Sequence, residues 1–152
     1  MPITYKKGSL FDAPTGSILV HAVSTQSVWG SGIAKEFKAR FPESFEFYKQ
    51  FCEEEGERLL GVIIYCPVEN GYVVNNLVTS IDYGTKKDPK DKILEASRSA
   101  LRFLLEENPV LPIHSCKFNS GLFGVPWEET EKVLLEVMTE TGYNKIWTVW
   151  EL

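Results

Sequence analysis

The chain is short of the residues that build covalent or metal-bound frameworks. Its three cysteines, Cys52, Cys66 and Cys116, are odd in number and widely spaced, so neither a disulfide framework nor a zinc site is expected. The two histidines, His21 and His114, also stand far apart. No apolar run approaches the roughly 20 residues of a membrane-spanning helix. The first residues lack the basic-then-apolar pattern of a secretory signal, which makes the cytoplasm the expected location and leaves no membrane partner. Lysine and arginine are outnumbered, 16 against 21 acidic residues, with net charge −5 and pI ≈ 5.1. That balance argues against stable nucleic-acid binding. It does not exclude a small anion held by backbone groups. Repeats, low-complexity tracts and linkers are absent as well. What remains is an ordinary composition, 43% hydrophobic and 24% charged over 152 residues. This fits one soluble domain spanning 1–152 with a substantial core, expected to be a monomer.

Two loops each carry a close pair of glycines. The stretch Cys116-Lys117-Phe118-Asn119-Ser120-Gly121-Leu122-Phe123-Gly124-Val125-Pro126-Trp127 reads as a strand end, a tight loop and a helix start. Gly121 and Gly124 can take positive φ, Pro126 suits a first helical turn, and Glu128, Glu129 and Glu131 complement the positive helix end. A loop that presents backbone N–H groups at a helix N-terminus is suited to an anion. The second loop, Ser24-Thr25-Gln26-Ser27-Val28-Trp29-Gly30-Ser31-Gly32-Ile33-Ala34, follows the buried-strand run Ile18–Val23 and leads into a helix near Gly32. It lacks the third glycine of a dinucleotide fingerprint and the Gly-Lys-Ser/Thr ending of a P-loop.

The remaining pattern alternates. Ile3–Tyr5, Ile18–Val23, Leu59–Cys66, Tyr72–Val78, Pro112–Phe118 and Lys145–Leu152 read as strands. Glu69-Asn70-Gly71 reads as a hairpin turn. Helices are expected after Gly32, after Pro42, over about 89–107 and from Trp127 to Gly142. The polar loop Ser80–Asp91 is of the size that carries function. These elements define an α/β three-layer α/β/α sandwich with a mixed β-sheet. Both glycine loops follow strands, so they can converge beyond the strands' carboxyl ends.

On these residues the chain resembles a macro domain, and within that superfamily the fungal-type ADP-ribose 1''-phosphate phosphatases. The resemblance is carried by Ile3-Thr4-Tyr5 with Lys7-Gly8, by His21 with Trp29–Ala34, by Leu59-Leu60-Gly61 and Leu77–Ser80, and above all by Asn119–Glu131, with Thr148–Leu152 last. It implies a small ADP-ribose derivative as ligand and hydrolysis of ADP-ribose 1''-phosphate, a by-product of tRNA splicing. The alternatives are removal of ADP-ribose from protein or nucleic acid, and non-catalytic ADP-ribose reading. By the same resemblance adenine lies near Gly8, Ser9 and Leu10. The pyrophosphate lies between the turn Gly30-Ser31-Gly32-Ile33-Ala34 and the turn Ser120-Gly121-Leu122-Phe123-Gly124, Phe123 packs on the distal ribose, and Ala22, Val23, Ser24, Trp29, Phe118 and Asn119 are also expected to bind the ligand. Ser9 stands where many macro domains have Asp, and the run His21-Ala22-Val23-Ser24 stands where many have Asn-Ala-Ala-Asn. A His-x-x-Ser run also resembles the terminal ADP-ribose protein glycohydrolases. The Lys and Asp of that group's chemistry correspond here to Ser80 and Phe123. For catalysis His21 is the expected positioner of water or acid, since its unperturbed pKa lies near neutrality. Asp82 is expected as base or as the orienter of His21, His114 as structural, and Lys117 as a source of positive charge. No metal or cofactor is expected.

Overall fold

The computed structural model describes residues 2–30, 32–107 and 109–152. Six strands, β1 (Ile3–Lys7), β2 (Ile18–Ser24), β3 (Ile63–Tyr65), β4 (Val73–Ser80), β5 (Ile113–Ser115) and β6 (Trp147–Glu151), form one sheet in the order β1-β6-β5-β2-β4-β3. All neighbours are parallel except β3 and β4. Four helices complete the three layers: α1 (Gly32–Arg40), α2 (Pro42–Glu55), α3 (Lys90–Glu106) and α4 (Trp127–Thr141). Alternation along each strand sorts the core. Ile18, Val20, Val73, Leu77, Ile113, Trp147 and Val149 pack with α3 and α4. Leu19, Val23, Val74, Val78 and Trp150 pack with α1 and α2. The central strands are buried on both faces, which is why Ile18–Val23 reads as an unbroken apolar run.

Two strands are shorter than the sequence suggests. Leu59–Cys66 was expected as one strand, but Gly56–Leu59 is a 3-10 turn and Gly61 has φ +83°. A Cβ at Gly61 would stand 3.1 Å from Ser99 Oγ, so α3 packs onto this bend; the regular strand is Ile63–Tyr65, with Gly61, Val62 and Cys66 adding single backbone hydrogen bonds to β4. The expected strand Pro112–Phe118 likewise pairs only over Ile113–Ser115. Cys116–Phe118 leave the sheet toward the glycine loop. The hairpin is as expected. Asn70 and Gly71 both take positive φ, +52° and +83°, as a two-residue type I′ turn requires.

That hairpin also caps a helix. The buried Glu69 carboxylate accepts from Glu43 N at 3.1 Å, Ser44 N at 2.8 Å and Ser44 Oγ at 2.8 Å. These are first-turn donors of α2, which has no side-chain cap of its own. A carboxylate here satisfies orphan N–H groups and meets the positive helix end. Glu69→Ala is therefore expected to lower stability by about 2–3 kcal/mol, read by urea unfolding. A loss below about 0.5 kcal/mol would contradict this.

Candidate functional site

The carboxyl ends of β1, β6, β5, β2 and β4 border one cleft of about 730 Å³. Five strands span about 19 Å at the usual spacing, room for an extended dinucleotide-sized ligand. At the β1–β6 end the wall is Gly8, Ser9, Leu10, Phe11, Trp150, Glu151 and Leu152. Cys116 to Phe123 follow from β5, Ala22 to Ser24 from β2, and Tyr83 and Gly84 after β4. Val28, Gly30, Gly32, Ile33, Ala34 and Glu36 add the first turns of α1.

Of the expected binding residues, Gly8, Ser9, Leu10, Ala22, Val23, Ser24, Gly30, Gly32, Ile33, Ala34, Phe118, Asn119, Ser120, Gly121, Leu122 and Phe123 are brought together in this wall. Ser31 lies outside the described residues. Trp29 is a correction. It is buried beneath the loop, stacked on Tyr48 at 5.3 Å and edge-on to His21 at 4.8 Å, so it anchors the loop from within the core. Gly124 is also outside the wall. It takes φ +70° and closes the turn through Gly124 N to Gly121 O at 3.0 Å. α4 itself begins beyond Pro126. The wall therefore includes the loop residues Ser120–Phe123 but not the first turn of α4, while α1 contributes its own first helical turn.

Asn119 holds that loop. Positive φ falls on Asn119, at +68°, and not on Gly121. Its buried amide accepts from Thr79 Oγ1 at 2.9 Å and donates to Ser97 Oγ at 2.8 Å and Thr130 Oγ1 at 3.5 Å. Its carbonyl accepts from Val125 N at 2.8 Å. One side chain thus ties the loop to β4, α3 and α4. Asn tolerates the left-handed region better than most residues, and its amide is engaged with protein groups on both sides.

The expected catalytic pair is not at the cleft. His21 is fully buried and absent from the wall. Its Nε2 bonds Asn76 Oδ1 at 2.7 Å, and its ring stacks on Phe37 at 4.0 Å. Asn76 Nδ2 donates to Ile64 O, so Oδ1 is the acceptor and Nε2 carries the proton. Burial pushes the imidazole down from 6.5 to about 3, which makes it a neutral core residue. The reason is alternation: His21 points to the α1–α2 face, with Leu19 and Val23. Asp82 neither partners His21 nor lines the cleft; its neighbours Tyr83 and Gly84 do. The loop is shaped instead by Asp88, which accepts from Ile81 N at 2.9 Å and Asp82 N at 3.3 Å.

Other groups carry less charge than their types suggest. Lys117 lines the cleft, but its ammonium pairs with Glu151 at 2.6 Å, and Lys117 holds the Glu151 carboxylate below its usual range. Burial pushes the Cys116 thiol up to about 12, so no thiolate is available as nucleophile. His114 accepts from Trp150 Nε1 at 2.9 Å and, as expected, is structural. Among the described residues no three His, Cys, Asp or Glu side chains gather as a metal-binding group, and no helix is long and apolar enough to cross a membrane. Phe11, Tyr83 and Trp150 to Leu152 were not expected to border the ligand. The polar loop after β4 was a visible signal for Tyr83. The pairing of β6 beside β1 was not.

Fold and cleft together define an α/β/α sandwich with a cleft along the carboxyl ends of its parallel strands, the place where open α/β sheets bind ligands. The profile of the Macro domain family matches residues 20–134, and the chain belongs to that family. A Chaetomium globosum protein named ADP-ribose 1''-phosphate phosphatase is 32% identical, over 87% of this chain and 82% of its own. A Saccharomyces cerevisiae protein of the same name is 32% identical, over 93% and 96%. The macrodomain of Thermus aquaticus DarG superposes with a TM-score of 0.79 at 25% identity, over 99% and 98%.

Two outcomes follow. Asn119→Ala should cost about 3 kcal/mol in urea unfolding, since it strands buried hydroxyls and puts Ala at positive φ; a cost under about 1 kcal/mol would show that other contacts hold the loop. For His21 the fold favours the neutral form. Its contribution is complete above the unfolded pKa of about 6.5 and is lost as pH falls from there toward 3. Between pH 7 and pH 5, wild type should lose about 2 kcal/mol more than His21→Gln; equal losses would contradict a buried neutral imidazole.

Proposed function

We propose that this macro domain binds ADP-ribose derivatives in the cleft and hydrolyses ADP-ribose 1''-phosphate to ADP-ribose and phosphate. The observation that supports this most is the meeting of the two glycine turns, at Gly30 with Gly32–Ala34 and at Ser120–Phe123, at one cleft long enough for the ligand. The name shared by relatives that span nearly the whole chain supports the same reaction. In this reading the base lies at the β1–β6 end, the pyrophosphate is held by backbone N–H groups and the α1 dipole, and Phe123 packs on the distal ribose. An acidic protein can hold such an anion because the donors are backbone groups. The terminal phosphate then lies at the β2–β4 end, beside the Ser24 and Ser120 hydroxyls and Tyr83. Phosphoryl transfer through a loose transition state asks mainly for positioning and charge stabilisation. Those groups can position an attacking water without a histidine, and turnover needs no metal. The substrate would be a by-product of tRNA splicing, cleared in the cytoplasm by a monomer.

Among the described residues the ionisable side chains that line the cleft are Glu36, Tyr83, Cys116, Lys117 and Glu151, of which Lys117 and Glu151 pair with each other and Cys116 is held protonated by burial. That scarcity favours a non-catalytic ADP-ribose reader as the second reading. Incubation with ADP-ribose 1''-phosphate in chelator separates the two: phosphate release is expected, and intact ADP-ribose binding without release would establish the reader. A Cβ at Gly121 meets nothing within 4 Å, so Gly121→Glu should fold with an unchanged Tm. Its carboxylate beside the pyrophosphate should weaken ADP-ribose binding by about 30-fold or more in calorimetry; unchanged affinity would place the pyrophosphate elsewhere.

A further inference from the structure

We infer that Asp88, which does not itself line the cleft, is a positioning residue for the cleft's terminal end. This role rests on the proposed function, which sets the terminal phosphate beside Tyr83. Tyr83 and Gly84 are the part of the wall that follows β4. The exposed segment 83–87 has little of its own to hold it. Among the described residues its hydrogen bonds are two long ones within its 3-10 turn, Lys86 N to Tyr83 O and Lys87 N to Gly84 O, both 3.3 Å. Its place is therefore set by the residues on either side. Before it, the peptide that joins Ile81 to Asp82 is gripped at both ends. The oxygen accepts from Thr25 Oγ1 at 2.9 Å and from Gln26 Nε2 at 3.0 Å, both on the loop after β2. The N–H donates to Asp88 Oδ1 at 3.3 Å, while Asp88 Oδ2 accepts from Ile81 N at 2.9 Å. Asp88 N in turn donates to Ser80 Oγ at 3.2 Å. Asp88 stands just before α3, yet its carboxylate reaches back to close the base of the loop. Thr25 and Gln26 directly follow the wall residue Ser24, so the gripped peptide also sets the spacing of the two loops that border the terminal end.

The consequence is kinetic. Base and pyrophosphate meet other walls, so loosening 83–87 leaves most of the ligand held. Misplacing the groups around a reacting centre by about 1 Å costs on the order of 100-fold in rate. Asp88→Ala removes both acceptors. Asp88→Asn keeps an oxygen for Ile81 N but turns a second donor toward Asp82 N. Turnover of ADP-ribose 1''-phosphate, calorimetric titration with ADP-ribose and thermal unfolding, all on the full chain, test this. Asp88→Ala is expected to lower kcat by about tenfold or more, with ADP-ribose affinity within about threefold of wild type and Asp88→Asn in between. An Asp88 that serves folding alone would lower Tm and leave kcat per folded molecule within that tenfold, which overturns the inference while the proposed function stands. A loss of ADP-ribose affinity in step with kcat overturns it as well. If Asp88→Ala does not fold, Asp88→Asn decides: a lowered kcat with affinity kept supports the role, and a wild-type kcat overturns it. If wild type itself releases no phosphate, the proposed function fails, and this inference with it.

Discussion

The structure depends on one side chain's hydrogen bonds more than on any other single contact. Asn119 sits in the left-handed region at the end of the segment that leaves β5, and its amide reaches Thr79 on β4, Ser97 on α3 and Thr130 on α4. Each partner is itself buried. Losing the amide would leave the Thr79 and Thr130 hydroxyls inside the core without partners, a costlier condition than never having had them. That network fixes where Ser120 to Phe123 stand, and so fixes one wall of the cleft. Gly32 does similar work opposite β2, at φ +59°, with Trp29 pinned below it among Tyr48, His21, Phe37 and Phe45.

The cleft is therefore built on core packing and backbone, with few charged side chains at its surface. Its lysine is neutralised by Glu151, its cysteine is held protonated, and its histidine candidate is enclosed by Trp29 and Phe37. Such a wall suits an elongated ligand with an anionic middle. In the proposed reading the α1 N-terminus and loop N–H groups would meet the anion, and the apolar ends would meet the rest. It also explains how a chain of net charge −5 can hold a phosphate-bearing ligand: nearby dipoles act at short range, where a net charge spread over the surface counts for little.

Much of this was legible from residue order. The double-faced run Ile18–Val23, the Asn70-Gly71 turn and the spacing of apolar residues in α3 announce their elements directly. The two glycine loops after strands placed eleven of the wall residues, Ser24, Gly30, Gly32, Ile33, Ala34 and Phe118 to Phe123, and the resemblance added Gly8 to Leu10. Other features depend on partners that a sequence does not display. Strand ends at Gly61 and Cys116 follow from what packs against them. His21 reads the same as a core residue or as a site residue until its strand's facing is known, and Asn76 on a neighbouring strand then decides. Positive φ went to Asn119 and not Gly121 because three hydroxyls await its amide. Trp150 to Leu152 join the cleft only because β6 lies beside β1, a neighbour relation between the two ends of the chain.

The most direct measurement is the change in backbone amide resonances on titration with ADP-ribose. Large downfield shifts are expected for the Gly30, Gly32 and Gly121 N–H groups, as donors to a pyrophosphate, with smaller shifts at Leu10 and Tyr83 toward the two ends. Shifts absent from both glycine turns, with binding intact, would contradict the claim that backbone donors along the strand ends form the site.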